Sequence, residues 1–379
     1  MMKKVLYGTT ALLAAGMFTA TAEAATPLKL TVGGYLNAFV GYTNLSEKDV
    51  VFDVNKFALG TDGEIAFNAE TKLDNGIKIG AVAEVVIGTF ASDRTFDDEQ
   101  GWLDDVYAYV ESKYGKVELG ATDNVAKKLH NGAPEVGPLD TAKIVNWLGL
   151  EGAGVSLGST TVDLDSNARK VSYFTPKFYG FQVAASYIPG AKKVYAFEIA
   201  RNGAMAPSTV NRDEADFINA YVVSAAYEGK FSGVTVDADV AYGNFKPGSD
   251  SPEHNKRAEQ YSFGADVGFS GFTIGAGYTF ADANTHGIKN HKAFEFGAAY
   301  ENGPYAVSAN YFLSKNGKRY DEKGGKLQKY EVSGKYKLGA GVDAFATFAY
   351  LDLNKEARPN DAPGVDKVWT VVTGLALNF

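Results

Sequence analysis

The sequence predicts an all-β fold: sixteen antiparallel strands in an up-and-down meander, closed into a transmembrane β-barrel. Three observations carry this expectation. Apolar residues recur at every second position from Leu28 onward, the pattern of strands with two unlike faces. Glycine is abundant, 42 residues against 11 prolines, and it falls at the joints between those strands. With 22 Tyr and 24 Phe, the chain is too aromatic for disorder and too rich in glycine to be mainly helical.

Taken in order, residues 1–24 read as an export signal. Lys3 and Lys4 open it, Val5 to Thr21 is small and apolar, and Ala22-Glu23-Ala24 supplies a small-x-small cleavage pattern. The alternative is an N-terminal membrane anchor, but Gly8, Thr9 and Thr10 interrupt the run. Cleavage before Ala25 leaves a mature chain of 35 basic and 44 acidic residues, a balance that disfavours a nucleic-acid partner. The absence of cysteine excludes a disulfide scaffold, a thiolate metal site and a Cys nucleophile. No later stretch approaches the roughly 20 consecutive apolar residues of a membrane-spanning helix.

Sixteen strands are expected at approximately 28–43, 61–73, 77–88, 102–114, 116–122, 168–178, 181–188, 216–228, 233–245, 259–270, 272–283, 291–301, 305–315, 327–338, 342–354 and 366–379. The period is clearest where Phe272, Ile274, Ala276, Tyr278 and Phe280 oppose Thr273, Gly275, Gly277 and Thr279. Seven short joints, from Asp74-Asn75-Gly76 to the one between Gly339 and Gly341, all contain glycine, as tight hairpins with positive φ require. Longer polar connections such as 189–215 and 246–258 alternate with them. Aromatics including Tyr114, Tyr179, Phe231, Phe269, Tyr300 and Tyr336 gather beside the short joints, where rings form an interfacial girdle in membrane barrels; strand propensity alone also favours them.

A soluble sandwich alternates too, so the fate of the polar face decides. Sixteen hairpin-linked strands leave long raw edges unless the sheet closes. A ring of that size is too wide for side chains to fill and holds water. The apolar face then needs a solvent other than water, and for an exported chain that is an outer membrane.

Sequence landmarks agree. The run Trp369 to Phe379 alternates and ends in an aromatic residue, resembling the terminal signal of outer-membrane barrels. Val106-Tyr107-Ala108-Tyr109-Val110 with Tyr114 to Gly120, then Ser172-Tyr173-Phe174-Thr175-Pro176-Lys177-Phe178-Tyr179-Gly180-Phe181, resemble the central blocks of general bacterial porins, in that family's order. The resemblance spans essentially the whole mature chain, 25–379. It implies barrel closure, a homotrimer in outer-membrane lipid, no cofactor, and a long third loop folded into the barrel. The loop's counterpart is residues 123–167.

That connection carries Asp123, Glu135, Asp140, Glu151, Asp163 and Asp165 against three lysines, a net charge of -3. Lying over the outer surface as a solvated flap is the alternative. Alternation puts Glu64, Glu70 and Lys72, then Lys78 and Glu84, then Tyr107, Tyr109 and Glu111, and finally Lys170, on the pore wall. The chain departs from the family in its arginines: seven in all, none before Arg94, and Ala121 where members commonly set one after Leu-Gly. The resemblance implies passive diffusion of small hydrophilic solutes and ions, and the acidic connection with its missing arginine partners points to a mild preference for cations.

Other readings stand beside this one. Stacked rings at Tyr35, Phe39, Tyr107 and Tyr109 would suit a sugar-selective channel, and a surface adhesin could use the barrel as an anchor. A barrel enzyme would draw on Gly154-Val155-Ser156-Leu157-Gly158, which lacks the strand-turn-helix context of a nucleophile elbow. His130, His254, His286 and His291 are expected in loops without metal-ligand spacing. Asp97, Asp98, Glu99, Asp104 and Asp105 form an acidic cluster with Ca²⁺-binding chemistry, or simply a solvated loop.

Overall fold

A computed structural model describes residues 27–44, 56–88, 103–148, 159–165, 167–191, 217–247, 257–282, 290–315, 325–353 and 367–379. All sixteen expected strands form. They are β1 (Lys29–Thr43), β2 (Phe57–Lys72), β3 (Lys78–Gly88), β4 (Leu103–Ser112), β5 (Gly115–Ala121), β6 (Arg169–Phe174), β7 (Phe181–Ala191), β8 (Phe217–Phe231), β9 (Val234–Pro247), β10 (Ala258–Phe269), β11 (Phe272–Asp282), β12 (His291–Asn302), β13 (Tyr305–Lys315), β14 (Lys326–Gly339), β15 (Val342–Leu353) and β16 (Lys367–Asn378). Each pairs antiparallel with its sequence neighbours, and β1 pairs with β16 to close the ring. At that seam Gly34 and Phe379 exchange two backbone hydrogen bonds, of 2.8 and 3.0 Å.

Each of the seven short joints has a glycine at positive φ. In three of them the preceding residue, Tyr179, Ser232 or Ser270, is also left-handed, giving the type I′ turn whose twist matches the flanking strands. Strand ends differ from expectation where chemistry intervenes. β6 stops at Phe174 because Pro176 has no N–H to give the ladder. β2 starts at Phe57, which finds Tyr42 of β1 as partner. His291, counted among the loop histidines although the expected strand 291–301 begins with it, opens β12. The export signal and the Gly-x-Ser-x-Gly segment lie outside the described residues, as do Asp97, Asp98, Glu99, Glu151, His254 and His286.

Burial is inverted relative to a soluble protein. On β10, Tyr261, Phe263, Val267 and Phe269 are exposed, while Gln260 and Ser262, on either side of Tyr261, are buried. The same holds around the ring, with Ser172, Ser224, Thr279, Ser333, Thr347 and Thr370 nearly inaccessible. An exposed belt of Val, Ile and Phe on every side would be a large penalty in water and is the expected surface in lipid.

The buried face is not polar throughout. Phe345, Ala349, Leu351 and Leu353 line it on β15, and Ile188, Phe217, Val222 and Phe245 line it on β7 to β9. These patches receive two helices in the connection between β5 and β6, which the sequence presented as structureless. They are α1 (Val125–Leu129) and α2 (Thr141–Trp147). Val125 and Ala126 join one apolar cluster; Ile144, Val145 and Leu148 join the other.

Candidate functional site

Both helices are short and depend on their caps. The Asn124 carboxamide oxygen accepts from the N–H groups of Ala126 and Lys127, at 2.8 and 3.1 Å. The Asp140 carboxylate accepts from the Lys143 N–H at 2.9 Å. Asp140, expected as a lining charge, therefore has a structural partner.

The root of the connection is a buried pair. Lys170 is withdrawn from solvent, 3.2 Å from Asp165, and also donates to the Thr122 carbonyl. Asn124 donates to Asp165 at 2.5 Å. Both charges were expected on open pore surface; here they fasten the two ends of the connection together. One turn on, Lys127 lies 2.7 Å from Asp123 and 3.7 Å from Asp163. These carboxylates, Asp163 foremost, hold the Lys127 ammonium above its usual range against the opposing effect of burial. Burial dominates at Asp163 itself and pushes it up to about 6, with Lys127 opposing.

From this root the chain makes contacts around the ring, always with side chains of the buried face. The Val125 N–H donates to Ser186 on β7, and Asn131 N–H to Asp239 on β9 at 2.6 Å. His130 spans Asp239 at 3.2 Å and Thr160 at 3.0 Å, and Thr160 donates to Glu295 on β12 at 2.7 Å. Ala133 N–H also reaches Glu295, and Val136 N–H reaches Ser308 on β13. Glu135 lies 3.3 Å from Lys329 on β14, which is itself 2.6 Å from Glu331. Burial pushes Glu135 up to about 7, with Lys329 opposing. Finally Lys143 meets Asp62 on β2 at 2.6 Å, and the Trp147 indole donates to Thr370 on β16 at 3.0 Å.

The expected wall residues sort into small groups. Glu70 accepts from the Tyr109 hydroxyl at 2.6 Å, and Lys78 stands 3.7 Å from Glu111. Lys72 is exposed at the short-turn end of β2. Tyr107 lies under the Lys128 ammonium, and Tyr109 under that of Lys116. Both lysines converge on Glu118, at 2.5 and 2.7 Å.

Glu64 and Glu84 are joined by Asp104, so that oxygens of all three carboxylates fall within 4.8 Å of one another. A bulge produces this meeting. The β3–β4 register slips between Ala83 and Val85, which sets Asp104 and Asp105 together opposite Glu84 and lets both reach polar partners. Asp105 accepts from Thr122 at 2.7 Å and Asp104 from Asn167 at 2.7 Å. Oxygen ligands of this kind suit a hard cation.

Sequence reasoning did not single out Asp62, Glu118, Asp239, Glu295 or Glu331. Their signal was present as isolated acids on the small, polar register of alternating strands, as in Val236-Asp237-Ala238-Asp239-Val240.

A family model described as Gram-negative porin matches residues 8–356. The chain belongs to the Gram-negative porin family. It is accordingly an outer-membrane channel. Solved porins share its fold: OmpF of Salmonella typhi, in complex with daunomycin, superposes with a TM-score of 0.66 at 15% identity, covering 93% of this chain and 98% of that one. The anion-selective porin of Comamonas acidovorans gives 0.64 at 18% identity, over 93% and 100%. An uncharacterized protein of Rickettsia conorii is 26% identical over 400 residues, covering 92% of this porin and 84% of the relative.

Proposed function

We propose that this porin passes small hydrophilic solutes and ions by passive diffusion with a mild preference for cations, and that residues 123–167 fold into the barrel and narrow it. The observation that carries the reading is the set of partners around the ring. From Ser186 on β7 to Thr370 on β16 and Asp62 on β2, every wall group bonded to the connection lies on the buried face. A flap on the outer surface would meet none of them. Export by residues 1–24 and assembly of three barrels in outer-membrane lipid belong to the same reading.

The source of the cation preference moves from the loop to the wall. The loop acids each have a cationic partner: Asp165 faces Lys170, Asp123 and Asp163 share Lys127, and Glu135 shares Lys329 with Glu331. Among the described residues, Glu64, Glu84 and Asp104 make no ion pair. Three half-buried carboxylates beside a narrowed passage raise the local concentration of cations, as charge lining a cleft does.

The other readings draw less support. Each ring of the supposed sugar track already has a partner: Lys143 over Tyr35, Lys128 over Tyr107, Lys116 over Tyr109, and Trp147 edge-on to Phe39. Asp239, His130 and Thr160 have the spacing of a nucleophilic relay. Yet Thr160 is buried and gives its proton to Glu295, so it has no hydroxyl proton to yield to the imidazole.

Reversal potential in a planar bilayer under a KCl gradient tests the proposal. The expected sign is that of a cation-preferring pore, weakening at high salt as screening shortens to about 3 Å at 1 M. Chloride preference would contradict it.

A further inference from the structure

Across four strands, one rung of the wall reads Asp239, Gly264, Gly277, Glu295, each paired with the next. The adjacent rung, toward the short turns, reads Asp237, Asp266, Gly275, Gly297. None of these four glycines has the positive φ that would explain glycine by conformation. Space explains them. A methyl carbon at Gly264 would overlap the Asn131 carbonyl oxygen, and one at Gly275 the Gly132 carbonyl oxygen. At Gly277 it would lie 2.6 Å from the Thr160 hydroxyl; at Gly297 it would overlap Oδ1 of Asn310 on the neighbouring strand, with Cβ of Ala133 at 3.1 Å.

The main chain at 131–133 thus lies flat on a bare strip of wall, and the flanking carboxylates take its N–H groups: Asp239 from Asn131, Glu295 from Ala133. Side chains anywhere on the strip would lift it off both acceptors together.

We infer that Gly264, Gly275, Gly277 and Gly297 are positioning residues, a seat that sets how far the connection projects from the wall and hence the cross-section of the channel, resting on the inward fold proposed for residues 123–167. The acids hold the segment laterally; the glycines fix its depth.

The chain has no cysteine, so an introduced pair reports without background. In Gly137→Cys/Ser333→Cys, which leaves the strip untouched, the Cβ atoms would lie 3.1 Å apart, a few tenths short of the roughly 3.5–4.5 Å of a disulfide, and a cross-link should form on oxidation. Into that background go Gly264→Ala and Gly275→Ala, with Gly334→Ala, whose methyl meets nothing within 4 Å, as control. Folded barrels are selected by heat-modifiable gel mobility, and single-channel conductance is recorded with the same substitutions in the cysteine-free chain.

The expected result is a several-fold loss of cross-link yield and an altered unitary conductance for Gly264→Ala and Gly275→Ala, with Gly334→Ala like the parent. If Gly264→Ala does not fold, Gly277→Ala takes its place, because its methyl meets a side-chain hydroxyl instead of backbone. Failure of the parent pair to cross-link overturns the inward fold itself. Efficient cross-linking with unchanged yield and conductance in the alanine variants overturns the seat alone.

Discussion

Lys143 of α2 and Asp62 of β2 stand 81 positions apart in sequence and 2.6 Å apart in space, and Asn37 of β1 adds a second hydrogen bond to the same carboxylate oxygen. This contact ties the far limb of the long connection to the first hairpin of the barrel. Asp62→Asn or Lys143→Met is expected to free that limb, giving noisier open-channel current and more frequent brief closures. A double-mutant cycle in denaturant should return a coupling of about 1–3 kcal/mol, the range for a charge-assisted bond. Single-channel traces as quiet as the parent's would show that the contact restrains nothing.

Lys329 is the more expensive partner to lose. Its ammonium is inaccessible and faces both Glu331 and Glu135, so Lys329→Met leaves two carboxylates facing each other in a poorly solvated place. A loss of roughly 3–5 kcal/mol is expected, the usual range for removing one member of a buried pair. Lys329→Met/Glu331→Gln should recover part of it. Urea titration followed by tryptophan fluorescence reads both values, and equal stability of the two variants would argue against a charge effect.

Selectivity should respond to the wall more than to the loop. Glu64→Gln, Glu84→Gln and Asp104→Asn together are expected to shift the reversal potential toward that of chloride at about 0.1 M salt, with the shift shrinking at 1 M. Asp123→Asn, whose charge is already matched by Lys127, should shift it less. The reverse ranking would return the determinant to the loop.

Proton binding gives a signed prediction. Burial raises Glu135 to about 7 and Asp163 to about 6, from ordinary values of 4.5 and 3.8. The folded state therefore binds these protons more readily than the unfolded chain. Their stabilising contribution is complete below about pH 4 and is lost as pH rises through 6 and 7. Resistance to urea should be greater at pH 5 than at pH 8, and Glu135→Gln should flatten the upper part of that profile. A profile flat between pH 5 and 8 in the parent would remove the basis for this prediction.

Glycines at positive φ offer a control on the barrel alone. Gly76 has φ of 83° with open space where a methyl would go, so Gly76→Ala carries only the left-handed backbone penalty of about 1–2 kcal/mol. At Gly120 a methyl would also overlap the Val106 carbonyl oxygen, and Gly120→Ala should cost clearly more. Comparable unfolding midpoints for the two would mean that β4 yields at that point.

The ring was legible because its signals are local. Alternation along β10 and β11 and the left-handed glycine between them are written in consecutive residues, and neighbouring strands pair. The helices were not legible. At five and seven residues, α1 and α2 are below the length at which intrinsic propensity tells, and they persist through caps and docking against wall patches assembled from distant strands. Asp104 was read as part of an outer acidic loop because a single extra residue in β4, invisible to a period of two, decides which way it turns. Nor does net charge reveal pairing: Asp165 and Lys170 both counted toward the pore, and their meeting cancels them.

The seam between Gly34 and Phe379 has a consequence in time. Until the sixteenth strand arrives, the other fifteen expose two unsatisfied margins to whatever passes, and such margins recruit partners indiscriminately. Pairing of β1 with β16 removes both margins at once, so the chain that has not yet made it is the form most exposed to association with its siblings.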